Sequence, residues 1–73
     1  GRSMTALHEA ADRYRAAAIA AHTAATRSRL TRLDRDATGR EIARANQASL
    51  DARRALEHAR DQLVAAALEH TGV

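Results

Sequence analysis

Residues 33–41 read Leu-Asp-Arg-Asp-Ala-Thr-Gly-Arg-Glu, and whether this stretch continues a helix or interrupts one decides the fold. Its last four residues, Thr38 to Glu41, have the pattern of a capping box, in which a hydroxyl and a carboxylate three positions apart each satisfy a backbone amide at a helix start. A start in the middle of the chain implies a stop just before it. One unbroken rod is the competing reading, since a lone interior glycine costs only about 1 kcal/mol. The internal cap favours reversal instead.

Working outward, alanine recurs at every seventh residue on both sides. After the turn stand Ala45, Ala52, Ala59 and Ala66, accompanied by Ile42, Ser49, Leu56, Leu63 and His70; before it stand Ala11, Ala18 and Ala25, accompanied by Leu7, Tyr14, Ala21 and Ser28. Laid antiparallel, Leu7 meets His70, Ala11 meets Ala66, Tyr14 meets Leu63, Ala18 meets Ala59, Ala21 meets Leu56, Ala25 meets Ala52 and Ser28 meets Ser49. Every pair is equidistant from the step between Thr38 and Gly39. The expected fold is therefore all-α: an antiparallel two-helix hairpin, an alanine-rich coiled coil. Helix one is expected at about 5–34, the turn at 35–39 and helix two at 40–70. Leu7, Ala11, Tyr14, Ala18 and Ala25 face Ala52, Leu56, Ala59, Leu63 and Ala66 across the expected seam. Alanine there lets the axes approach more closely than the usual separation of about 8–10 Å.

Thr5 is the expected cap of helix one, with Glu9 and Asp12 early in the helix where carboxylates suit its dipole. Arg27, Arg29, Arg32 and Arg35 fall toward its end, where cations are favoured. Gly72 marks the stop of helix two. Gly1, Arg2 and Ser3 ahead of Met4 read as a cloning scar, leaving residues 4–73 as a single domain. No basic segment followed by an apolar run comes after Met4. The chain is accordingly expected in the cytoplasm, without a membrane span.

Seventy-three residues without cysteine or proline, and with Tyr14 as the only aromatic residue, are a helix composition too short to bury a sizeable core alone. Apolar residues also remain outside the seam. Ile19, Leu30 and Leu33 join Ala16, Thr23, Thr26 and Ala37 in a second run with alternating steps of three and four, and Leu50, Val64 and Leu68 lie off the seam on helix two. The economical cover for Ile19, Leu30, Leu33, Leu50, Val64 and Leu68 is a second copy, giving a homodimeric four-helix bundle. A heterologous protein partner is the alternative.

All twelve basic residues are arginine. Arg27, Arg29, Arg32, Arg35, Arg40 and Arg44 oppose only Asp34, Asp36 and Glu41, an excess equal to the whole formal net charge of +3. One tip of the rod is therefore basic, and these six arginines are candidate contacts to nucleic acid, with Arg53, Arg54 and Arg60 further along helix two. A dimer of such hairpins resembles, in architecture, plasmid RNA-binding regulators of the ROP type. Asp51, Glu57 and Asp61 interleave with the helix-two arginines at helical spacing, which reads as a solvated face laced with ion pairs. The small WXG-type secretion substrates also turn at a glycine, but this chain lacks their tryptophan.

Asp34, Asp36, Thr38 and Gly39 resemble the opening of an EF-hand loop, with oxygen ligands at the first, third and fifth positions and glycine at the sixth. Position eight is Glu41, however, and position twelve, where a bidentate glutamate closes the site, is Ala45. No tight calcium binding is expected. His8 and His70, with Glu9 and Glu69, share the open end of the hairpin, and His22 and His58 flank the seam; none has the spacing of a dedicated metal site. No phosphate loop, nucleophile elbow or His-Glu-x-x-His motif occurs, so no catalytic residue, cofactor or metal is assigned. The expected function is a non-enzymatic protein–protein interaction or adaptor module, with a small nucleic-acid-binding regulator as the alternative.

Overall fold

In the computed structural model, which describes residues 2–71, two helices pack antiparallel: α1 (Arg2–Leu33) and α2 (Gly39–His70). Each has 32 residues. At 1.5 Å per residue that is about 48 Å of helix, in keeping with the molecule's 54 × 14 × 12 Å extents. Helix-favouring alanine, arginine and leucine dominate both, without an interior proline.

α1 starts earlier than the expected cap at Thr5, and its first turn holds no acidic residue. Arg2, Ser3 and Met4 contain nothing that resists helix, so the helix runs back through Thr5. Glu9 and Asp12 therefore sit beyond the first turn, outside the reach of the terminal dipole. At the other end Arg32 lies in the last turn and Arg35 in the connection.

The connection, residues 34–38, is held by short-range hydrogen bonds. The Asp34 amide donates to the Thr31 carbonyl (3.2 Å), and the Ala37 amide to the Asp34 carbonyl (3.3 Å). Asp34 Oδ1 accepts the Asp36 amide at 2.9 Å, an Asx-type turn. Thr38 then opens α2: its backbone is extended (φ −79°, ψ 161°), and its hydroxyl accepts the Glu41 amide at 3.1 Å. The first helical bond runs from the Ile42 amide to the Thr38 carbonyl at 3.0 Å. Gly39 is the first residue of the helix and not part of the reversal, which centres on Asp36. α2 closes at Thr71, whose amide donates to the Ala67 carbonyl (3.1 Å) and whose hydroxyl donates to the Leu68 carbonyl (2.9 Å). Gly72, the expected stop, lies outside the described residues.

Along α2 the inward row is Ile42, Ala45, Ser49, Ala52, Leu56, Ala59, Leu63 and Ala66, with Ala59 and Ala66 buried and the others half-buried. On α1 the row differs from the expected one. Leu7, Tyr14, Ala21 and Ser28 face inward, but Ala11 and Ala25 are exposed and Ala18 is half-buried at the margin. Ala10, Ala17, Ala24 and Thr31 take the intervening places, and Ala10 is among the most buried residues. The inward steps on α1 are thus three and then four from Leu7, where four and then three were expected. Arg32 explains the choice: it continues the Ala11, Ala18, Ala25 series and would carry its charge inward, whereas Thr31 continues the other series.

The pairing along the seam moves as well. Ser28, 4% exposed, donates from Oγ to Asn46 Oδ1 at 2.5 Å. Asn46 lies one helical turn nearer the connection than Ser49, the expected opposite number. The shift is in the direction that a connection at residues 34–38 imposes, and His70 stands exposed at the end of α2.

Candidate interaction surfaces

Alanine supplies the close packing and little else. Ala10, Ala59 and Ala66, 4–8% exposed, are the buried apolar residues among those described. Leu7, Tyr14, Leu56 and Leu63 add half-buried bulk. A methyl contributes about 0.8 kcal/mol when buried, against about 1.5–3 kcal/mol for a fully buried leucine. Most of the chain's large aliphatic side chains lie elsewhere.

Ile19, Leu30, Leu33, Leu50, Val64 and Leu68 are 47–74% exposed. They do not form one surface. A shallow hollow on α1 is lined by His22, Thr23, Thr26, Arg27 and Leu30, and another on α2 by Glu57, Arg60, Asp61, Val64, Ala65 and Leu68. Each draws its lining from a single helix. At 100° per residue, the row through Ile19, Thr23, Thr26, Leu30 and Leu33 points almost directly away from the inward row of α1. Leu50, Val64 and Leu68 likewise point away from the seam on α2. The two patches are therefore on opposite outer edges of the hairpin, and the α2 patch is interrupted by the exposed Glu57.

The broad side between the helices is a shallow groove with an alanine floor. Ala20, Ala24, Ala45 and Ala48 line it near the turn, beside Thr23 and Arg27, and Ala6, Ala10, Ala65 and Ala66 line it toward the open end. It has no enclosed chamber in which a reacting group would be shielded from water.

At the turn end Arg27, Arg29, Arg32, Arg35, Arg40 and Arg44 are all exposed. The Asp34 side chain is committed to the Asp36 amide, and Ala45, at the position where an EF-hand closes, is half-buried on the seam. His8, His22, His58 and His70 are exposed. Among the described residues, no group of three or more histidine, aspartate or glutamate side chains gathers as a metal site would. On the outer face of α2 Asp51 accepts a hydrogen bond from Gln47 Nε2 at 2.9 Å, one turn earlier in the helix.

The sequence reading missed the Ser28–Asn46 contact. Its signal was a polar residue, Asn46, next to a seam position opposite a second small polar residue, a combination that specifies alignment in alanine-rich helix pairs. No described helix is long and apolar enough to cross a membrane. Comparisons with known protein families, with curated proteins and with solved structures return no match.

Proposed function

We propose that this protein is a cytoplasmic, non-enzymatic interaction module: a helical hairpin that self-associates through its exposed outer faces and offers its basic turn to a macromolecular partner. One observation carries the reading. The hairpin keeps alanine between its helices and leaves Ile19, Leu30, Leu33, Leu50, Val64 and Leu68 in water. Exposed aliphatic rows on amphipathic helices mark association surfaces. A 73-residue chain with so small an interior also gains most from a second copy.

Self-association is tested by sedimentation equilibrium and by thermal unfolding at several protein concentrations. The expected result is twice the monomer mass and a Tm that rises with concentration, because a partner that binds only the folded state stabilises it by mass action. A monomer with a concentration-independent Tm would overturn the reading.

A second reading, a nucleic-acid-binding regulator, is favoured by the six exposed arginines at the turn. Titration of labelled duplex and single-stranded nucleic acid at low and moderate salt distinguishes it. Steeply salt-dependent binding that weakens on changing Arg27, Arg32 and Arg35 supports this reading, and no binding at low salt removes it.

A further inference from the structure

We infer that the broad face of the hairpin opposite the alanine-floored groove binds the phosphate backbone of duplex nucleic acid, through Arg15, Arg29, Arg32, Arg53 and Arg60. The inference rests on the nucleic-acid reading above and moves its contact from the turn to the length of the rod.

The six arginines gathered around the turn in sequence do not share a surface. At 100° per residue, a residue directly before an inward position leans to one broad side, and a residue directly after it leans to the other. Because α2 runs back along α1, the rule selects the same side on both helices. Arg13, Arg27 and Arg44 precede inward residues and line the groove, where Glu9, Glu41 and Glu69 also lie. Three arginines there meet three glutamates. Arg40 and Arg54 fall toward the outer edge of α2, offset by Asp51 and Asp61.

The opposite side is different. Arg15, Arg29 and Arg32 directly follow the inward Tyr14, Ser28 and Thr31, and Arg53 and Arg60 directly follow Ala52 and Ala59. All five are exposed, and among the described residues that follow an inward position Glu57 is the only carboxylate. The Ser28–Asn46 hydrogen bond sets the two helices level on this side. Counting from it, Arg60 comes level with Tyr14, next to Arg15, and Arg53 comes level with Ala21. The arginines of both helices thus form one stripe, about 26 Å long from Arg15 to Arg32.

The chemistry of the stripe selects its partner. Ala11, Ala18 and Ala25 separate the charges, so the centre lacks the bulky anchor around which protein interfaces concentrate their binding energy. Tyr14, the chain's one aromatic residue, is half-buried on the seam, leaving nothing on which an unpaired base could stack. A duplex offers what remains. Over about 26 Å it carries about 15 phosphate charges, and guanidinium groups match phosphate oxygens in a bidentate fork.

The test compares the full chain with two triple variants, Arg15→Gln/Arg53→Gln/Arg60→Gln on the face and Arg27→Gln/Arg35→Gln/Arg40→Gln off it. Each removes three positive charges, and circular dichroism confirms retained helix. Fluorescence anisotropy follows binding to a labelled duplex and to one of its single strands. From about 50 to 200 mM salt, five phosphate contacts should cost the unaltered chain about 500-fold in duplex affinity, and the off-face variant should behave alike. The face variant, with two contacts left, should bind more weakly and lose only about tenfold. If the off-face variant flattens the salt dependence and the face variant does not, or if both flatten it equally, the face is overturned while the nucleic-acid reading stands. Tighter binding of the single strand than of the duplex overturns the choice of partner. An unaltered chain that binds neither at low salt overturns both the face and the reading beneath it.

Discussion

Thr38 separates the helices with a single hydroxyl, which satisfies an amide of α2 that has no carbonyl before it. Replacing it with alanine should lower stability by about 1 kcal/mol in denaturant melts. Its neighbour behaves oppositely. Gly39 is helical, and a Cβ built there meets nothing within 4 Å. Gly39→Ala should therefore stabilise the hairpin by about 0.4–1 kcal/mol, mainly by restricting the unfolded chain. A lower midpoint in the melt would show that the backbone needs glycine after all. Thr38 was legible as a cap from the Thr38–Glu41 spacing alone, because that chemistry is local, although of the two bonds of a capping box only the one to the Thr38 hydroxyl forms. The location of the reversal was not legible, since Asp34 and Asp36 close the chain two residues earlier through bonds that the cap pattern does not contain.

At the level of the helices, the inward row of α1 is the feature to test. Ala10 is buried and Ala11 is exposed, although the two are chemically identical neighbours. Ala10→Leu should overpack the seam and cost about 1–3 kcal/mol, whereas Ala11→Leu should change stability by no more than about 0.5 kcal/mol. Equal effects in thermal melts would reject the alignment described above. Ala59→Leu should resemble Ala10→Leu, as it faces the same interior. The seam of α2 was legible because Leu56 and Leu63 mark it without ambiguity. On α1 two alanine series one residue apart compete, and only the last member of each, Thr31 or Arg32, distinguishes them.

For the whole molecule, the small interior leaves stability to a few contacts between the two helices. Removing the Ser28–Asn46 contact by Asn46→Ala should cost about 1 kcal/mol. It should also loosen the alignment of α1 against α2, seen as faster hydrogen exchange toward the turn. Retained protection there would show that alanine packing alone holds the pairing. With alanine used for close approach, six bulky aliphatic residues are left on the outer faces.

Periodicity, capping and composition were sufficient, by themselves, for two helices of nearly equal length, their antiparallel return and the inward row of α2. These are consequences of local propensity and of a heptad spacing that no other secondary structure shares. Only the packed structure decided which alanine series of α1 turns inward, that Ser28 reaches Asn46, and that the six outer aliphatic residues fall on two separate edges. The reason is physical: alanine methyls one position apart are nearly equivalent in propensity and hydrophobicity. Their fate depends on where the connection closes and on which alignment keeps Arg32 in water.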